Sequence, residues 1–206
     1  MIVYEGPSAI DGAPIVAIAT GLKRPSQNKK TGAMVQVWII PQDQSPIDAT
    51  RTGADASVCG DCPLRGVLGK QRACYVDIGK APGQVWRSYR AGSYEHWDQR
   101  TPFPRAVRLG AWGDPAALPA DVVGRIAASS PEGRTGYTHQ WRKAPALRRY
   151  LMASVETLGD AQEAHAAGWR TFRVAPKGET VSATDTEVLC PASPEGGNVT
   201  TCEDCR

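Results

Sequence analysis

The chain has 206 residues, 41% of them apolar and 22% charged, with a formal net charge of +3. That length and apolar fraction suit one globular domain with a sizeable core and exclude a chain disordered throughout. The charge is too small to argue for nucleic acid by itself, and no apolar run is long enough to span a membrane, so no membrane partner is expected. The start, Met1-Ile2-Val3-Tyr4-Glu5-Gly6, has neither the charged opening nor the apolar stretch of a signal peptide. A cytoplasmic location with reduced thiols is therefore the expectation.

In chain order, residues 1–44 read as a β-hairpin region. Runs rich in β-branched residues at 14–20 and 34–40 predict two strands, joined by a basic loop over 23–32 that is either a solvated tip or a phosphate contact. Ser45 followed by Pro46 predicts a short helix ending near Gly53. A loop-rich stretch at 54–83 carries three cysteines, and residues 84–97 read as an amphipathic helix weakened by Gly92. Its Trp86, Tyr89 and Trp97 are read as core rather than as a stacking platform.

Over 105–176 the pattern alternates. Strands are predicted at 106–112, 134–141, 150–155 and 171–175, with helices at about 119–129 and 158–167, the latter closed by Gly168. Alternating strands and helices imply right-handed crossovers and a mainly parallel sheet. The expected fold is α/β, a partial or irregular (β/α) barrel-like parallel sheet with an N-terminal β-hairpin and cysteine-rich loops. An open doubly wound sheet is the next choice. A TIM-barrel-like arrangement would gather ligands at the carboxyl ends of the strands and set the first and last elements side by side.

The six cysteines fall into two segments with mirrored spacing. Cys59-x2-Cys62-Pro63 precedes Cys74 by eleven residues, and in the tail, 187–206, Cys190-Pro191 precedes Cys202-x2-Cys205 by eleven. None lies in a predicted core strand. A Cys-x2-Cys turn lets two thiolates reach one metal, and a proline directly after a ligand occurs in bacterial ferredoxin motifs. No His-x3–5-His accompanies them. An iron–sulfur cluster, [4Fe-4S] in type, is thus expected ahead of structural zinc, with disulfides or free thiols last. The expected ligands are Cys59, Cys62, Cys74 and Cys190, with Cys202 and Cys205 as a second site or as replacements for Cys190. At least one tail cysteine should share the centre of the first three.

In order, the motifs Cys59-x2-Cys62-Pro63, Cys74-Tyr75, Val107–Asp114 (VRLGAWGD), Gly136-Tyr137-Thr138-His139, Cys190-Pro191 and Cys202-x2-Cys205 resemble a family of poorly characterised bacteriophage and plasmid proteins. The likeness covers about residues 30 to 206. It implies a phage-encoded cytosolic protein but no particular reaction. The family's tails often carry one more cysteine, which this sequence lacks. The strand order is also similar to that of radical S-adenosylmethionine enzymes, whose Cys-x3-Cys-x2-Cys signature is absent.

Polar candidates beside the centre are Asp114 past a strand end, His139 on a strand, Glu156 ending another, and Arg173 inside the last. An arginine inside a strand must find an acid, a phosphate or the barrel mouth. Asp114 reads equally as a turn or helix cap before Pro115, and His139 as a hydrogen-bonded core histidine. His96 and His165 read as solvated. With no phosphate-binding glycine loop, nucleophile elbow or paired-histidine helix, two readings remain. One is an enzyme in which those four residues flank a cluster at the mouth of the domain and act on an unknown small molecule. The other is a zinc- or cluster-braced nucleic-acid-binding protein whose basic hairpin, with Arg87, Arg90, Arg100 and Arg105, meets phosphate.

Overall fold

Seven strands form one sheet in the order of the sequence: β1 (Ile2–Pro7), β2 (Pro14–Thr20), β3 (Val35–Pro41), β4 (Val107–Trp112), β5 (Arg134–Thr138), β6 (Met152–Val155) and β7 (Thr171–Arg173). They are seen in a computed structural model that describes residues 1–66, 72–176, 178–179 and 187–205. Positions 67–71 of the cysteine-rich loop and Arg206 of the tail thus lie outside the described residues. β1, β2 and β3 pair antiparallel, and β3 through β7 pair parallel. The α/β class, the mostly parallel sheet and the N-terminal hairpin agree with expectation.

The sheet does not close into a barrel. β1 and β7 are its two edges, so the first and last elements are not neighbours as expected. The reason is strand number and direction. Closure of the eight-stranded kind needs more parallel units than the five strands here supply, and the antiparallel β1–β2 pair extends the sheet away from β7. β1 itself was not predicted, because an edge strand ending in Gly6-Pro7 carries little periodic signal.

The helices follow their end signals. α1 (Pro46–Thr52) is capped by Ser45, whose Oγ accepts from the Asp48 N–H at 3.2 Å, and stops at Gly53 with φ +84°. α2 (Ala56–Cys59) is a single turn inside the stretch read as loop. α3 (Ala81–Arg90) starts earlier than expected and ends before Gly92, where φ turns positive. Trp97 is therefore outside the helix, and it packs on Phe103 in the core with ring centroids 5.4 Å apart. α4 (Ala120–Ala128) buries Val122, Val123 and Ile126, as its spacing predicts. α5 (Leu158–Ala166) is capped by Thr157, whose Oγ1 accepts from the Asp160 N–H at 3.0 Å. α6 (Cys202–Cys205) is a further single turn. Among the described residues, no helix is long and apolar enough to cross a membrane.

Three strand ends are corrected. β5 stops at Thr138 rather than at Trp141, because residues 139–144 turn back, with the Lys143 N–H on the Gln140 carbonyl at 2.9 Å. β6 begins at Met152 after a 3-10 turn at Pro145–Arg149, and β7 ends at Arg173.

Register decides which residues share a face. Gln36 pairs with Arg108, Arg108 with Thr135, Tyr137 with Met152, and Ser154 with Phe172. Side chains alternate along a strand, so Gln36, Arg108, Thr135, Tyr137, Met152, Ser154 and Phe172 line one face. Tyr137 and Phe172 meet on it at 4.7 Å between centroids. The opposite face presents Val35, Val37, Val107, Leu109, Ala153 and Val155, all fully or almost fully buried. Chain-order right-handed crossovers place the connecting helices over that apolar face. One hydrophobic cluster runs from Ile2 to Trp169.

Candidate metal centre

The first cysteine group is built by one clasp. α2 ends at Cys59, and Gly60, with φ +59°, reverses the chain so that the Cys62 N–H reaches the Cys59 carbonyl at 3.2 Å. Past residues 67–71 the chain returns, and the Cys74 N–H bonds the Leu64 carbonyl at 2.8 Å. Arg65 holds the turn from within. Its Nη2 donates to Asp55 Oδ1 at 2.7 Å and to the Gly53 carbonyl at 2.9 Å, and its Nη1 to the Gly60 carbonyl at 3.2 Å. Asp61 fastens the turn to the segment after β5, accepting from Gln140 Nε2 and Lys143 Nζ at 2.6 Å each.

The end of β4 supplies the second wall. Gly110 and Gly113 both have positive φ. A Cβ at Gly113 would lie 2.8 Å from Ile39 Cβ and overlap the Ile39 carbonyl oxygen, so only glycine lets the chain come this close to β3. Asp114 follows at once, buried. Its N–H bonds the Val58 carbonyl, its Oδ1 accepts from the Ala116 N–H at 2.9 Å, and its Oδ2 accepts from the His139 N–H at 2.8 Å. The cap reading of Asp114 thus holds, and the same carboxylate positions His139. Burial pushes its carboxyl pKa up, against the pull of these hydrogen bonds.

His139 lies just past β5, where its side chain joins Cys62 and Glu156. Its Nε2 stands 2.9 Å from Glu156 Oε1 and 3.8 Å from Cys62 Sγ. Burial alone would lower the imidazole pKa, but the contacts to Cys62 and Glu156 outweigh it and raise it to about 10. Both contacts favour the protonated imidazole, which lies between a sulfur and a carboxylate. Burial pushes the Cys59 thiol well up, with Asp55, Cys62, Asp114 and Cys74 adding to the effect. Among the described residues, no three His, Cys, Asp or Glu side chains converge closely enough to hold an ion in this conformation.

Of the expected site residues, the structure brings together Cys59, Cys62, Cys74, Asp114, His139 and Glu156. Arg173 is held apart. It finds its acids in Glu187, at 2.6 and 3.0 Å, and in Glu179, at 2.8 Å. Cys190, Cys202 and Cys205 form a second group, over Tyr137 and Arg108. Arg108 also donates to the Tyr75 hydroxyl, next to Cys74, so the two groups approach along one face of the sheet. Of the arginines read as phosphate contacts, Arg105 is engaged by the carbonyls of Gly21, Leu22 and Ala33, and Arg90 lies over the Trp86 ring at 5.9 Å. His96 is mostly exposed, as expected, and His165 Nε2 lies 2.9 Å from Thr171 Oγ1. Sequence reading missed Asp55, Arg65, Asp61, Gln140 and Lys143. Its one available signal was an acid and an arginine bracketing the Cys-x2-Cys pair.

Replacing Asp114 with Asn is expected to lower stability by about 1–3 kcal/mol, because an amide NH2 would face one of two buried N–H donors. Equilibrium urea unfolding checks this, and an unshifted midpoint would show that one carboxylate oxygen is not engaged.

Comparison with protein families, with curated proteins and with solved structures gives no match for this chain.

Proposed function

We propose that this chain binds an iron–sulfur cluster, [4Fe-4S] in type, through Cys59, Cys62 and Cys74, with the fourth position taken by Cys190 or open to a small molecule. The observation that carries the reading is the backbone return of Cys74 onto Leu64, which puts three cysteines on one folded loop beside Asp114 and His139, at the carboxyl ends of the parallel strands. The donor set fits in chemistry: three soft sulfurs, one deeply desolvated, in a clasp braced by Arg65. Their side chains must turn to converge, and no disulfide holds any of the three thiols back. When bound, a cluster would supply electron transfer or, at an open iron, a Lewis-acid position. In this arrangement His139 stands beside Cys62, Glu156 orients the imidazole, and Asp114 fixes the backbone that carries it.

One observation favours zinc as a second reading. A sulfur and a nitrogen bound to one tetrahedral zinc, with bonds of about 2.3 and 2.0–2.1 Å, stand about 3.6 Å apart. Cys62 Sγ and His139 Nε2 stand 3.8 Å apart. Ligands on separate irons of a cluster would lie farther from each other.

Protein purified without oxygen is expected to be brown, with iron and acid-labile sulfide in about equal amounts. Colourless protein holding stoichiometric zinc would establish the second reading instead, and metal-free protein would refute both. Cys62→Ser is expected to lose the metal and much of the soluble yield, since metal binding supplies folding energy to such loops. Full metal content in that variant would show the ligand choice to be wrong.

A further inference from the structure

We propose that Cys190, Cys202 and Cys205 form a second thiolate-ligated metal centre, separate from that of Cys59, Cys62 and Cys74 and lying beside it on the same face of the sheet. This rests on the metal-binding reading above, and it assigns Cys190 to the tail rather than to the first centre.

The tail is folded to bring its own cysteines together. The Ser193 N–H bonds the Cys190 carbonyl at 3.0 Å, the Asn198 N–H bonds the Ser193 carbonyl at 3.0 Å, and the Val199 N–H bonds the Pro191 carbonyl at 2.9 Å. The last of these closes the loop, so Cys190 and Cys202 leave its neck one and three residues outside the bond. Gly196 lies so close over Cys190 that a Cβ there would sit 2.8 Å from the Cys190 carbonyl carbon and overlap its oxygen. The single turn of α6 then sets Cys202 and Cys205 at i and i+3, on one side of the helix. Eleven residues of spacing are thus folded back on themselves, so that Cys190 and Cys205 both act on Cys202, and the three side chains must still turn for their sulfurs to meet one ion.

That group is anchored away from the first cysteine loop. The Cys202 N–H bonds the Lys30 carbonyl at 2.8 Å, and Glu203 Oε2 accepts from the Ala33 N–H at 2.7 Å, so α6 is tied to the loop between β2 and β3. The charges acting on Cys202 come from Arg108, Cys190, Lys30 and Cys205, whereas those acting on Cys59 come from Asp55, Cys62, Asp114 and Cys74. Tyr137 lies under the tail group, and His139, two residues on, lies beside the first.

The electrostatics suit a filled site. A dicationic ion or core with three thiolates carries a net negative charge, and Arg108 and Lys30 flank the tail group with positive charge. The first group has its own cation in Arg65, beside Cys59 and Cys62, and is bordered by Asp55 and Asp114.

The test is metal and sulfide content per chain, measured on anaerobically prepared wild type, on Cys202→Ser/Cys205→Ser and on Cys59→Ser/Cys62→Ser. Each double variant is expected to keep about half of the wild-type content. Full retention in Cys202→Ser/Cys205→Ser would overturn the second centre and leave the first standing. Loss of all metal in either variant from folded protein would mean one shared centre and would also overturn it. Metal-free wild type would sink both readings together. Thiol alkylation of the intact wild type decides the matter even if a variant fails to fold. Cys205 is exposed, so as a free thiol it would be alkylated at once. It is expected to stay protected until a chelator is added, and immediate labelling in metal-loaded protein would refute its ligation.

Discussion

Arg65→Ala is expected to destabilise the protein by about 3–5 kcal/mol, the range found when one partner of a buried ion pair is removed. Asp55 is only 1% exposed and Arg65 13%, so the carboxylate left behind could not recover its solvation. The guanidinium also serves two carbonyls, that of Gly53, which ends α1, and that of Gly60, which ends α2. Losing it would open the turn that carries Cys59 and Cys62, and metal content should fall along with stability. Arg65→Lys would keep the charge but not the fork that spans three acceptors, so its stability should fall between the two. The pairing Asp55→Asn with Arg65→Met separates charge from packing. If the buried charge is what hurts, the double variant should be more stable than Arg65→Ala. Urea midpoints measured at constant metal loading read this out. A loss under about 1 kcal/mol in Arg65→Ala would show the pair to be solvated like an ordinary surface salt bridge.

Gly113→Ala is expected to have the second large effect, and Gly53→Ala is its control. Both glycines have nearly the same φ, +83° and +84°, so the backbone penalty for a side chain is nearly the same. A Cβ at Gly53 meets nothing within 4 Å, while one at Gly113 runs into Ile39 of the neighbouring strand β3. Left-handed strain contributes on the order of 1 kcal/mol in both, and forced overpacking adds about 1–3 kcal/mol or more at Gly113 only. Because Asp114 is the next residue, the displaced strand end would also pull at His139 through the Asp114–His139 hydrogen bond. Thermal or urea unfolding of the two variants measures the difference directly. Equal losses would show that the end of β4 does not press on β3.

Much of the fold was legible because its signals are local. The continuous apolar runs of β2 and β3 are buried on both faces, and a strand of that kind needs no partner to be recognised in sequence. Ser45-Pro46 and Gly53 bound α1 through backbone chemistry within a single turn. The ends of β5 and β6 were misjudged because tertiary packing, not propensity, turns the chain at His139 and forms the 3-10 turn at Pro145–Arg149. Closure of the sheet was misjudged for a different reason. Whether a sheet curls shut depends on how many strands run parallel and on where the antiparallel pair is added, and no window of sequence carries that count.

The cysteines were conspicuous by spacing, Asp114 by its place past a strand end, and His139 by its place on a predicted strand. Spacing along the chain, however, says nothing about which side chains meet. The sequence by itself determined two cysteine segments, an alternating α/β core and a glycine before Asp114, since each follows from local conformational preference or residue chemistry. Only the tertiary structure decided that Arg65 would be buried on Asp55, that Arg173 would be taken up by Glu179 and Glu187, and that the tail would lie on the loop after β2. These contacts join residues distant in the chain, and what selects them is the strong penalty for leaving a charge or a backbone amide unpaired once the sheet has removed it from water.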